Sequence, residues 1–302
     1  MAEAINDTSI TKVKAQKSMS PWAVARRKFL RNKLAMISLF FLMTVSILSF
    51  LAPYITTVDI TRVNIGSMSL TPSSEHWFGT DKSGRDVFTR LLYGGRVSLL
   101  VGISCTLLII TFGTLIGALA GFFGGIVDAL LMRFTDFILN FPLLVFVIVL
   151  NAVFFGKLGG VPVLIAVISV LGWGGVARLV RSKILSEKEN EYILAAISIG
   201  SRPAKVIMKH LLPNVLSTII VQATLTFAAM IVVESGLSYL GFGVPAETPS
   251  WGNMLAASRE PDVLQNMPWI WIPPALTLVF TILSINFIGE GIKDALNPKS
   301  LR

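Results

Sequence analysis

Val97 to Phe123 reads VSLLVGISCTLLIITFGTLIGALAGFF, without one charged residue. A helix needs about 20 mainly apolar residues to cross the hydrocarbon core of a bilayer, and this run is longer than that. Its apolar residues follow one another without the two-residue alternation of a lipid-facing barrel strand. Backbone polar groups in lipid must be satisfied within the segment, so the run is a helix. Similar runs lie on either side: Leu34–Ile55 before it, and Phe137–Phe155, Val161–Ala177, Asn214–Gly236 and Trp269–Gly289 after it. Val161–Ala177 is only just long enough. The expected fold class is all-α, a polytopic membrane protein with six transmembrane helices.

Composition agrees. Of 302 residues, 53% are hydrophobic and only 14% charged, with a mean hydropathy of +0.72. A soluble domain of this size needs far more polar surface. The formal charge of +9 is compatible with nucleic-acid binding, but the basic residues cluster beside the apolar runs. With the N-terminus inside, most of the 26 Lys and Arg fall on the inner side, as the positive-inside rule expects. Six crossings return Lys293, Lys299 and Arg302 to the same side, so both termini are expected in the cytosol. The segment Arg62 to Arg96 fits poorly, with five basic residues outside. Asp59, Glu75, Asp81 and Asp86 offset them. The sole cysteine, Cys105, reads as an apolar filler, and no metal site is expected. The first apolar run is too long for a cleaved signal and reads as a retained anchor.

The chain divides into a basic cytosolic N-terminal tail (1–33), a first transmembrane helix (34–55), an outer loop (56–96) and a five-helix core (97–302). The core includes a cytosolic loop, 183–213. Residues 1–20 are polar and aperiodic, a mobile tail. Pro21 to Lys33 is expected as a basic helix on the inner surface, with Trp22 at headgroup level. The outer loop is long enough to require ordered pieces. Within it, Asp86 to Arg96 reads as an amphipathic interfacial helix with Val87, Leu91 and Leu92 on one face. Gly113, Gly117 and Gly121 form a smooth stripe for close helix packing, within this chain or against another. Val127 to Phe141 reads as an inner-surface helix leading into the third span. Pro273-Pro274 falls near the outer mouth, where a kink or helix start is tolerated.

The loop Glu191–Pro213 reads EYILAAISIGSRPAKVIMKHLLP. Ile193, Ala196, Ile197 and Gly200 share one face of a short helix, and Gly200 sits where a terminator needs positive φ. Ser201 is placed to cap a second short helix, with Pro203 in its first turn. On that helix Arg202, Lys205 and Lys209 share a face. Pro213 is expected to end it, with the fifth span starting at Asn214. The result is a helix-turn-helix knob on the inner membrane face.

The spacing A-A-x3-G-x9-x-x-L-P in this loop resembles the cytosolic loop of ATP-binding-cassette importer permeases, E-A-A-x3-G-x9-I-x-L-P. Departures are Leu194 in place of the acid, with Glu191 three residues earlier, and His210 in place of the Ile. HWFGTDKSGRDVFTRLLYGGRVSL (His76 to Leu99) and ESGLSYLGFGVPAETPSWGNML (Glu234 to Leu255) are similar to segments of the dipeptide, oligopeptide and nickel branch, second-subunit (C-type) permeases. The resemblance covers most of the chain from residue 25 onward. It implies a type I importer permease fold in a bacterial plasma membrane and a heterodimer with a related permease. It further implies two cytosolic ATPases, an external substrate-binding protein and no cofactor. The ATPase-coupling residues it implies are Glu191, Ala195, Ala196, Gly200, Lys205, Leu212 and Pro213. Peptides are the expected cargo, with nickel chelates, glutathione or sugars as alternatives.

An intramembrane enzyme needs paired acids, a nucleophile with its base, or metal ligands in the bundle. His76 and His210 are the only histidines and fall on opposite sides, so no catalytic residue is assigned. An ion-coupled secondary transporter is the other class considered. Coupling ions leave ionisable sites in mid-membrane, and these spans show almost none. The chain has no G-x-x-x-x-G-K-[ST] phosphate loop, so any ATP must be bound elsewhere. Glu234 lies about 30 Å along the fifth span from Asn214, near the outer boundary. Three roles are open for it: pairing with a basic residue of the outer loop or of the partner permease to hold the outer mouth closed, facing lipid headgroups, or meeting a peptide's amino terminus.

Overall fold

A computed structural model describes residues 21–61, 63–158 and 160–296. The expectations for residues 1–20, Arg62, the Trp22 side chain, Lys299 and Arg302 lie outside the described residues. α1 (Pro21–Arg31) stops at Asn32, whose side chain accepts from the Ala35 amide at 3.1 Å and so starts α2 (Lys33–Phe50). α3 (Ala52–Ile55) is one short turn, and the chain then runs irregularly to Asp86, with a 3-10 turn at Ile65–Ser67. The Asp86 carboxylate accepts from the Thr89 amide at 2.7 Å and caps α4 (Val87–Phe123).

α4 corrects the expectation of a separate interfacial helix over Asp86–Arg96. That segment is the start of one 37-residue helix, and Val87, Leu91 and Leu92 are all buried in the bundle. Arg90 does not interrupt it, because its guanidinium donates to the Ile60 and Ala246 carbonyls at 3.2 and 3.4 Å.

α5 (Gly125–Leu139) follows the turn at Gly124, and α6 (Leu143–Leu158) begins after Pro142. A proline disfavours helical backbone at the residue before it, and the two helices meet there at 78°. α7 (Val161–Gly172) and α8 (Gly174–Lys188) meet at 41° in the glycine-rich stretch around Trp173. The remaining helices are α9 (Glu191–Ser198), α10 (Pro203–Val206), α11 (Leu212–Leu240), α12 (Trp251–Leu255), α13 (Pro261–Asn266) and α14 (Pro268–Leu296).

Four stretches are long and apolar enough to cross a membrane: Lys33–Phe50, Val87–Phe123, Pro203–Leu240 and Pro268–Leu296. Counting each bent pair, α5–α6 and α7–α8, as one span gives up to 6. Pro273 and Pro274 lie inside α14, near its start.

α4 is the central helix, packed against α2, α7, α8 and α11. Its glycine stripe faces α8 within this chain. A β-carbon on Gly117 would lie 2.4 Å from the Ala177 carbonyl oxygen, and one on Gly113 would lie 2.6 Å from Val176 Cβ. Many large side chains stay exposed along the spans, among them Phe40, Leu107 and Val170. A soluble monomer does not carry apolar surface on this scale.

Candidate functional site

Two features stand out at opposite ends of α11: a protruding helix pair and a buried carboxylate. The pair begins with α9. Ile193 is fully buried beneath it, while Glu191, Tyr192, Leu194 and Ala195 are exposed and Ala196 is half-buried. Gly200 turns the chain at φ +76°. The Ser201 amide donates to the Ala196 carbonyl at 3.1 Å and the Gly200 amide to the Ile197 carbonyl at 2.9 Å. This is a Schellman ending, which satisfies the last carbonyls of a helix around one left-handed residue. The expected glycine turn is present.

The second helix differs from expectation in two ways. Ser201 does not cap it; Arg202 holds the N-cap position, without a side-chain hydrogen bond, and Pro203 opens the helix. Nor does Pro213 end it. From Pro203 the chain stays helical to Leu240, through a π turn at Ile207–Leu211. A proline ring crowds the carbonyl four residues earlier and lacks a donor. The wider π turn just before Pro213 relieves that conflict without breaking the helix. The second half of the knob is therefore the protruding end of the fifth span. Lys205 and Pro213 are exposed there, and Leu212 is half-buried.

The exposed tip is more apolar than the motif implied. Ile199 is 82% exposed and Met208 67%, beside Leu194 and Ile197. Neither Ile199 nor Met208 was singled out from sequence. Large apolar residues flanking the turn of an otherwise polar loop were the available signal. The base of the knob is held firmly. Tyr192 Oη accepts from Asn214 Nδ2, tying α9 to α11. Arg181 forms a two-pronged pair with Asp128 at 2.5 Å, and Arg178 meets Asp136 at 2.6 Å, so α8 is fixed to α5. Lys188 Nζ donates to the Phe122 carbonyl at the end of α4, at 2.6 Å.

At the other end, Glu234 is fully buried. Its carboxylate accepts from Ser238 Oγ at 2.8 Å, Ser98 Oγ at 2.9 Å and Ser235 Oγ at 3.2 Å. Among the described residues no Lys or Arg pairs with it. Within this chain a ring of hydroxyls, not a basic side chain, meets the carboxyl group. The serines also reach outward. Ser98 Oγ accepts from the Trp251 amide at 3.2 Å, and Ser238 Oγ accepts from the Val244 amide at 3.0 Å. Trp251 is itself fully buried and donates from its indole to the Leu91 carbonyl. Ser250 and Asn253 form a capping box that starts α12. The serines gathered on this carboxylate thus help pin the segment 241–255 to α4 and α11, alongside the Trp251 indole and the Arg90 guanidinium.

The irregular segment before α4 forms a cap at this same end. His76 Nδ1 lies 2.9 Å from the Asp86 carboxylate, Asp81 holds Arg85 at 2.8 Å, and Lys82 pairs with Glu260. The Glu260 carboxylate raises the Lys82 ammonium above its ordinary value. These pairings account for Lys82 and Arg85, two of the basic residues that fitted poorly on this side. No three His, Cys, Asp or Glu side chains gather as metal ligands among the described residues.

Four helices long and apolar enough to cross a membrane, or up to six spans with the bent pairs, a knob at one end and a capped segment at the other define a multi-pass membrane protein. Residues 113–302 match the family described as binding-protein-dependent transport system inner membrane component, and residues 20–72 match the N-terminal TM domain of oligopeptide transport permease C. The chain belongs to this family of transport permeases. It is 39% identical to the dipeptide transport system permease protein DppC of Alkalihalophilus pseudofirmus, over 93% of this chain and 91% of that one. It is 39% identical to DppC of Bacillus subtilis over 94% and 88%, and 40% identical to the oligopeptide transport system permease protein OppC of Haemophilus influenzae over 93% and 89%.

Proposed function

We propose that this chain forms half of the translocation path of an ATP-driven importer of di- or oligopeptides, paired with a related permease. Two cytosolic ATPases drive it, and an external binding protein delivers cargo. The observation that carries this reading is the knob. A Schellman turn at Gly200 presents Leu194, Ile197, Ile199 and Met208 to solvent on a rigidly rooted helix pair. An exposed apolar tip of this kind suits a cleft on another protein. Glu191, Ala195, Ala196, Gly200, Lys205, Leu212 and Pro213 then form or flank the contact with the ATPase. The chain carries no phosphate loop of its own, so hydrolysis belongs to that partner, and this subunit performs no chemistry. The knob and both termini lie in the cytosol, and the cap of residues 56–86 lies outside the plasma membrane. The names of the relatives support peptides as cargo. The test is uptake of radiolabelled dialanine into proteoliposomes holding the purified assembly. ATP- and binding-protein-dependent accumulation is expected. Purification without any ATPase, or uptake driven by an ion gradient alone, would overturn the reading.

A further inference from the structure

Between α8, α11 and α14, at the knob end of the bundle, lies a groove of about 500 Å³. Lys183 enters it from α8, Ser217, Thr218 and Gln222 from α11, and Lys293 from α14; the rest of its lining is aliphatic. Among the described residues no acid lines it and neither lysine joins an ion pair. Gln222 reaches only Thr226, at 3.4 Å. Lys183 and Lys293 sit at the inner ends of their helices, where basic residues are expected. Ser217, Thr218 and Gln222 carry polar groups further into α11, and polar groups within a span mark water-filled or protein-filled paths.

We infer that this groove is a water-filled stretch of the cargo's path and that Lys183 and Lys293 receive the cargo's carboxylate on its way into the cytosol. The inference rests on the transport reading above. Two ammonium groups are mobile point charges, without the fixed fork of a guanidinium. They attract an anion without locking it, and a path must release what it attracts. The absence of acids from the lining leaves the local field positive, which concentrates anions in a cleft.

The test uses the complete importer in inside-out vesicles, with Cys105→Ala removing the native thiol and Gln222→Cys placing one in the groove. Labelling rates are compared for a negatively and a positively charged methanethiosulfonate. Both reagents are expected to react, the anionic one faster. Replacing both lysines by Met is expected to lower the anion-to-cation rate ratio about tenfold, the low end of field focusing in clefts. Replacing both by Arg is expected to preserve it. Dialanine is expected to slow labelling with the lysines present and not with Met. No labelling, or a ratio indifferent to the Met substitutions, overturns the assignment. So does slowing by phosphatidylglycerol in the vesicles but not by dialanine, which would make the groove a lipid-headgroup site. Loss of ATP-dependent uptake by the unmutated importer would instead sink the transport reading, so the two failures are distinguishable.

Discussion

Replacing Glu234 by Gln tests the pinning of the 241–255 segment. Ser98 and Ser235 donate to Oε2 and Ser238 to Oε1. The amide keeps one acceptor oxygen and turns the other position into a donor. If the oxygen stays with Ser238, Ser98 loses its acceptor, and its oxygen already receives the Trp251 amide. Leaving a buried donor without its acceptor costs about 1–3 kcal/mol, so a loss of about 2 kcal/mol is expected. That is roughly thirtyfold in an equilibrium. The loss falls on the pinned segment, because Ser98 and Ser238 are what hold the Trp251 and Val244 amides. Met254, 7% exposed on α12, reports on it. With Met254→Cys in a Cys105→Ala background, thiol labelling limited by local opening should accelerate roughly thirtyfold in Glu234→Gln. Ser98→Ala should act similarly, and the double substitution should add little, since both break one network. In the assembled importer, Glu234→Gln should also raise ATP hydrolysis without cargo. Labelling that changes by less than about twofold, far under the cost of one lost bond, would show that the carboxylate does not hold this segment.

Gly117→Leu should abolish accumulation of folded protein, since even a β-carbon there meets the Ala177 carbonyl oxygen at 2.4 Å; Gly236→Ala, with open space around it, should be tolerated. Size-exclusion profiles of detergent extracts compare the two. Gly200→Leu should leave insertion intact but abolish uptake, because φ +76° strains a branched side chain even though nothing crowds the site. Gly200→Asn should retain part of the uptake, since Asn tolerates the left-handed region. Reporters fused near Lys188 and after Arg302 should read cytosol, and those near Glu75 or Glu247 the outside; Lys188 reading outside would invert the whole assignment.

The spans and the glycine turn were legible because their causes are local. An uncharged run such as Val97–Phe123 has one stable form in lipid, and the left-handed turn at Gly200 asks for glycine whatever surrounds it. The extension of α4 back to Val87 was not legible. Asp86–Arg96 reads as an interfacial helix until the Ile60 and Ala246 carbonyls, distant in sequence, are seen around Arg90. Pro213 misled for a related reason. Its rule as a helix stop holds for a regular helix, and the π turn before it changes the local spacing. For Glu234 half of the answer was present. Ser235 and Ser238 stand one and four residues away on the same helix, but Ser98 comes from α4 and only the tertiary structure supplies it.

The continuity of α11 with the knob bears on whether a displacement at one end would reach the other. Pro203–Leu240 is one helical stretch of 38 residues, about 57 Å at 1.5 Å per residue. Its first turns are the exposed second half of the knob, and Glu234 lies near its far end. Had Pro213 ended the knob helix, a hinge between knob and span could absorb a displacement. The observed irregularity is the π turn at Ile207–Leu211, whose Ile207 and Leu211 are buried in the core. A turn packed in this way leaves little room for independent movement, so tilting the knob must tilt the span or break its packing. The segment pinned through Glu234 then rides on the moving end. Three hydroxyls around a carboxylate can re-form after a small shift more readily than a single fixed ion pair, because each serine rotates about its own Cα–Cβ bond. A ring of serines around Glu234 would therefore suit a junction that has to open and close, if the outer-gate role holds.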